Sequence, residues 1–231
     1  MELALEIPTP HIEDFLPLTD FAFGLAQLYL RSDYPNAGKY QKLYQRCLLD
    51  NGMYELGEPL PIDELVHAAW YCNPVSVIAP DWMDRMSKTI DAAFELRGAL
   101  RGECSVGAVV QGKNLDERLE CFRILQTNGF SPICFPFRTP RDQTIGHLAL
   151  EHRFRDNEWY HLLGLQHLRE LRWKFPGRWS VDTGKPFKGY RLDKVANIRG
   201  LGRLDLFKKL TEANRTLAYR NIAVLRRYEH V

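Results

Sequence analysis

The sequence is poor in the features that would place it among metal, disulfide or membrane proteins. Its five cysteines, at positions 47, 72, 104, 121 and 134, are odd in number and widely spaced, with no Cys-x-x-Cys pair. That excludes a paired disulfide framework and a zinc ribbon. Cys47 and Cys134 sit in or beside apolar runs and read as buried thiols. The seven histidines have no ligand spacing either: His147 and His152 are five apart, which splays them on a helix. The expectation is therefore no metal and no cofactor. No apolar stretch approaches membrane length, so no membrane partner is expected. The N-terminus (Met1 to Glu6) is acidic and short, unlike a signal peptide, and a cytoplasmic protein is the default expectation. Internal repeats and disordered linkers are also missing.

What is present is an ordinary globular composition, 45% hydrophobic and 26% charged over 231 residues. This fits one large α/β domain with a sizeable core. The net charge of +2 conceals an asymmetry. From Lys185 onward there are twelve Lys/Arg against four Asp/Glu, whereas the preceding residues carry 19 basic and 25 acidic groups. On charge alone, such a tail fits a solvated basic helix and a surface for a polyanion equally well.

Four short apolar runs each stop on a polar side chain: Leu48-Leu49-Asp50, Val77-Ile78-Ala79-Pro80-Asp81, Val109-Val110-Gln111-Gly112 and Trp179-Ser180-Val181-Asp182. Such runs read as buried parallel strands, and α/β proteins bind ligands at strand C-termini. A pass along the chain predicts strands at Leu3–Ile7, Asp20–Ala26 (helix fits there equally well), Cys47–Asp50, Pro74–Ala79, Ser105–Gln111, Pro132–Phe137, Tyr160–Leu165 and Trp179–Asp182. Helices are expected at 61–70, 84–100, 115–128, 144–154 and 166–175, with a loop and short helix at 34–44. Eight β-α steps in about 200 residues point to a compact (β/α)₈ TIM barrel, with a doubly wound open sheet as the alternative. The whole chain reads as one such domain. Its basic extension, residues 185–231, ends in an amphipathic helix from Leu204 to Tyr228 packed on the barrel through Phe207, Leu210, Leu217, Val224, Leu225 and Tyr228.

Carboxylates at strand ends can act as nucleophile, general acid/base, metal ligand or acceptor. Each end here brings a single acid and no histidine, which disfavours a metal. A pair of carboxylates suits covalent sugar chemistry, and a third with an amide suits a polar planar group such as a purine edge. Taken singly, Asp50-Asn51-Gly52 and Asp182-Thr183-Gly184 are also turns, Asp81 a helix cap and Gln111-Gly112 a strand exit.

The ordered series of Asp50-Asn51-Gly52, Pro80-Asp81, Val109-Val110-Gln111-Gly112, Leu162-Leu163-Gly164 and Ser180-Val181-Asp182-Thr183 resembles the tRNA-guanine transglycosylase superfamily. It is most similar to the zinc-free DpdA-like branch of bacteria and phages, which inserts 7-deazaguanines into DNA. The resemblance runs from about Leu3 to Phe187. It implies that Asp182 is the nucleophile on C1′ and that Asp50 is the acid/base group. It further implies that Asp81, Gln111 and Gly112 read the base, while Leu163 and Gly164 wall its pocket. Guanine in DNA or RNA would be exchanged for a 7-deazapurine such as preQ0 or preQ1, in the cytoplasm of a bacterium or phage-infected host, by a protein that in this family is often a homodimer. Lys185, Lys188, Arg191 and Lys194, with Arg138 and Arg141, would then meet phosphates around a flipped nucleotide, and Trp82 or Phe135 would be available to stack on a base. The chain departs from the tRNA enzymes at Asn51-Gly52-Met53, where they carry Ser-Gly-Gly, and in lacking their Cys/His zinc subdomain after the nucleophile. DNA is accordingly the expected substrate. A nucleoside or nucleotide N-glycosidase and a noncatalytic nucleic-acid-binding subunit are the alternatives.

Overall fold

The computed structural model describes residues 1–31, 46–194 and 204–229. The loop and short helix expected at 34–44 lie outside the described residues. Eight parallel strands form a single sheet: β1 (Glu2–Leu5), β2 (Ala22–Leu25), β3 (Cys47–Asp50), β4 (Ser76–Ile78), β5 (Ser105–Val109), β6 (Ile133–Phe135), β7 (Trp159–Leu162) and β8 (Arg178–Thr183). The α-helices among the described residues are α1 (Ile12–Phe15), α2 (Ala26–Leu30), α3 (Met53–Leu56), α4 (Ile62–Cys72), α5 (Met86–Leu100), α6 (Leu115–Thr127), α7 (Arg141–Leu150) and α8 (Glu212–Glu229). No helix among the described residues is long and apolar enough to cross a membrane.

The sheet curls into a nearly closed TIM-like barrel because β8 pairs with β1, setting Ala4 beside Asp182. At the seam between β1 and β2, side chains replace the missing ladder. Leu3 N–H donates to Asp20 Oδ2 (2.7 Å), Leu5 N–H to Thr19 Oγ1 (3.2 Å), and the Thr19 hydroxyl reaches Leu3 O (3.0 Å). Arg226 of α8 clamps Asp20 at 2.7 and 3.0 Å. The C-terminal helix thus staples the barrel shut, and one charge of the basic tail is spent doing so.

Side chains alternate across each strand, so the barrel has two cores. Ala4, Phe21, Leu48, Ile78, Val109, Cys134 and Trp159 fill its interior. Leu3, Leu5, Leu49, Val77, Ala108, Leu162 and Val181 face the helices in a larger outer cluster. Extending the inward set two residues along brings Glu6, Asp50, Gln111, His161 and Asp182 toward one end of the barrel. α6 starts where Asn114 Oδ1 accepts Glu117 N–H at 2.9 Å.

The stretch at Asp20–Ala26, for which strand and helix fitted equally well, holds β2 and leads directly into α2. Two elements differ from the sequence-based expectation. The helix expected at 166–175 is a five-residue 3₁₀ turn, Leu168–Arg172. Glu170 accepts the N–H groups of Gln166 (2.7 Å) and His167 (3.2 Å), which fixes a tight turn. The tail helix begins at Glu212, not Leu204, because the residues before it run along the barrel mouth: Leu206 O accepts Thr9 N–H (2.7 Å), and Leu210 N–H donates to His11 Nε2 (2.8 Å). The buried face of α8 is Ala218, Asn221, Ile222 and Leu225 at helical spacing, while Phe207 is exposed.

Candidate active site

A cavity of about 350 Å³ opens at the C-terminal ends of the strands, and Glu6, Asp50, Asp81, Gln111 and Asp182 all line it. These five side chains come from β1, β3, β4, β5 and β8 or the residues just past them. All four strand-end groups expected from the sequence therefore meet in one place, joined by Glu6.

Asp182 is the most elaborately held. Its Oδ1 accepts from Gly164 N–H (2.8 Å) and from His161 Nε2 (3.0 Å). His161 Nδ1 lies 2.8 Å from Ser180 Oγ, which also accepts Trp159 Nε1–H at 2.6 Å and reaches Tyr160 O at 3.5 Å. With an ionised Asp182 as acceptor, the imidazole proton sits on Nε2. Burial, then the charges of Arg141 and Arg178, push the His161 pKa down to about 3, so the ring is neutral. Phe23 stacks on it with centroids 5.7 Å apart. Burial raises the Asp182 pKa against the opposing hydrogen bonds of Glu6 and Gly164. Glu6 is raised further, first by burial and then by the charge and hydrogen bond of Asp182. Each of these two buried acids thus stands above the usual carboxylate range, and ionising one opposes ionising the other.

Asp50 accepts Gly52 N–H at 3.0 Å. Burial and the neighbouring Glu55, with Asp182 and Asp81 behind it, hold its carboxyl well above the usual range, which favours the protonated form. Asp81 accepts from Asn51 Nδ2 (2.9 Å) on one oxygen and from Gln111 Nε2 (2.7 Å) on the other. Burial raises its pKa and those two amides oppose the rise. Gln111 Oε1 is buried and has no hydrogen-bond partner among the described residues. A buried, unpaired acceptor costs about 1–3 kcal/mol, a cost that a ligand N–H would remove. Among the described residues no three His, Cys, Asp or Glu side chains converge to hold a metal ion.

The remaining sequence candidates divide. Leu163 and Gly164 line the cavity. Gly164 has φ +71°, the left-handed conformation that turns its N–H onto Asp182. Gly112 does not line it: a Cβ there would lie 2.8 Å from Arg118 N and Glu117 Cβ, so this glycine lets α6 pack against the end of β5. Lys185 and Lys188 line the cavity, and burial followed by the Lys188 charge lowers the Lys185 pKa to about 8. Arg138 is exposed at the rim, 5.4 Å above the Tyr54 ring. Arg191 is exposed away from the cavity and paired with Asp193 at 2.7 and 3.1 Å; Lys194 is exposed beside it.

Arg141, expected among the phosphate contacts, is instead buried. Its guanidinium has no exposure, bonds Glu170 twice (3.0 and 2.6 Å), and donates to the carbonyls of Phe135, Leu163 and Gly164. It holds the Gly164 turn in place and has no donor left for a phosphate. Phe135 is likewise removed from any stacking role, being buried in the outer core against Phe122 and Trp179. Trp82 carries Lys88 over its ring at 3.8 Å.

Glu6, Asn51 and His161 escaped the strand-end pattern. The signal for Glu6 was available: Glu2, Ala4 and Glu6 alternate with Leu3, Leu5 and Ile7, which puts Glu6 on the inward face. No protein-family model matches the chain, and no curated protein is significantly similar to it.

Proposed function

We propose that the protein is a base-exchange transglycosylase that replaces guanine in nucleic acid, DNA in preference to tRNA, with a 7-deazaguanine such as preQ0 or preQ1. One observation carries this reading: a desolvated carboxylate with two fixed donors on one oxygen, Asp182, shares a purine-sized cavity with an acceptor face made by Asp81 and the unpaired Gln111 Oε1. Guanine and 7-deazaguanines present N1–H and a 2-amino group, donors that match such a face. Adenine presents a lone pair at N1 and would be repelled.

The chemistry balances without an external reagent. Asp182 bonds to C1′ as the C1′–N9 bond breaks, and the departing base takes that electron pair together with the proton of Asp50. The incoming deazapurine returns its N9 proton to Asp50 and displaces Asp182 from C1′. Lys185, Lys188 and Arg138 border the site and suit the phosphates flanking an extruded nucleotide.

The test is exchange of labelled bases into duplex DNA, single-stranded DNA and tRNA. Labelled guanine or preQ0 is expected to enter one of the polymers and adenine to enter at least about 10³-fold more slowly. Gln111→Leu should reduce that discrimination by about tenfold or more, since the orphaned acceptor is gone. Equal incorporation of adenine would contradict the base assignment. Release of free guanine without incorporation would move the protein to the N-glycosidases.

A further inference from the structure

We propose that Glu6 is the proton-holding partner of the nucleophile: it donates to Asp182, keeps it ionised inside a buried site, and sets the acid limit of the reaction. The inference rests on the transglycosylase reading for its kinetic consequence but not for the pairing itself.

The geometry begins with register. Ala4 lies beside Asp182 across the β1–β8 ladder, and Glu6, two residues further on the same face, lines the same cavity as that carboxylate. Its backbone is anchored there by Glu6 N–H donating to Thr183 O at 3.1 Å. The side chain is confined as well, since Glu6 Oε2 lies 3.0 Å from where a Cβ on Gly184 would sit, so residue 184 has no room for a side chain without displacing this carboxyl. Glu6 hydrogen-bonds Asp182 and lines the cavity.

The neighbours decide where the proton goes. On Asp182, His161 and Gly164 both donate to Oδ1, which localises negative charge on that residue. Neutral His161 can offer no second proton, and Arg141 adds a positive field from behind. Around Glu6 stand Lys185 and Lys188 from the turn after β8, Asp50 at the end of β3, Glu55 of α3, Asp81 past β4 and Asp205 in the segment before α8. The two lysines hold the pair at one net negative charge rather than none. The surrounding carboxylates resist a second.

The active form is thus the singly protonated pair. Below its first titration Asp182 is protonated and cannot attack. Above its second, Glu6 is ionised, its donor is lost and two negative charges face the phosphates of the substrate. Glutamine at position 6 keeps an N–H to donate but cannot ionise, whereas alanine removes the donor altogether.

The experiment compares wild type, E6Q and E6A by pH–rate profile and by NMR titration of Asp182 in protein labelled with ¹³C at the aspartate carboxyl. E6Q is expected to lower the rate at neutral pH by a factor of a few, to keep the alkaline fall that the Asp50 proton imposes, and to reduce the Asp182 titration from two steps to one. E6A is expected to move the acid limb, and the Asp182 midpoint, upward by roughly one pH unit or more. Limbs and midpoint that stay at their wild-type positions in both variants, with or without a uniform drop in rate, would overturn the proposal. If E6A does not fold, E6Q decides alone through the Asp182 titration, in which the two steps of wild type must collapse to one. If wild type exchanges no base at all, the transglycosylase reading fails. The Asp182 titration still decides whether the pair exists.

Discussion

Asp182→Asn is expected to abolish base exchange, on the order of 10⁴-fold or more, while leaving the protein folded. Asparagine is nearly isosteric and keeps an oxygen for Gly164 N–H and His161 Nε2–H, so the two donors that orient position 182 remain satisfied. It has no anionic oxygen with which to bond C1′. Alanine is the less informative change. It would strand the buried His161 proton without an acceptor, and about 1–3 kcal/mol of stability would be lost along with activity. A thermal melt beside the rate assay separates the two effects. An Asp182→Asn protein that exchanges within tenfold of wild type would remove this residue from the chemistry.

The second large effect concerns stability. Arg141→Leu is expected to destabilise the fold by about 3–5 kcal/mol, because it leaves the Glu170 carboxylate buried without its counter-charge. Both side chains are fully buried, and their bidentate contact ties α7 to the 3₁₀ turn after β7. The double change Arg141→Leu with Glu170→Leu should recover a substantial part of that loss, since an apolar pair of similar size needs no compensation. Activity should not return with it. The Gly164 turn would have lost the guanidinium that holds its carbonyl, so the N–H on Asp182 would no longer be fixed. Urea denaturation of the single and double variants measures the stability terms. A single variant as stable as wild type would contradict the structural role and reopen a surface role for Arg141.

The barrel was legible because its strands are short apolar runs that end abruptly, and buried parallel strands need nothing else. The polar residue at each end had to face the barrel mouth or a turn, and Asp50, Gln111 and Asp182 share the inward parity of Leu48, Val109 and Ser180 on their own strands. Closure was not legible. It depends on Thr19 and Asp20 standing in for ladder partners and on Arg226 arriving from the far end of the chain. Burial of cations was hidden for a similar reason. Arg141 and Arg226 look like surface charge in the sequence, and only tertiary contacts with Glu170 and Asp20 reveal them as internal ties. His161 was invisible as a site residue because it lies within β7, where its neighbours read as core. Its role comes from tertiary contacts, Ser180 against one ring nitrogen and Asp182 against the other.

The most direct test of the central claim is intact-mass analysis under denaturing conditions after mixing wild-type protein with guanine-containing DNA or tRNA. The account predicts a covalent nucleic-acid adduct that maps to Asp182, is absent in Asp182→Asn, and is discharged by added preQ0 or preQ1. Turnover of guanine with no adduct at Asp182, or an adduct that persists in Asp182→Asn, would contradict it.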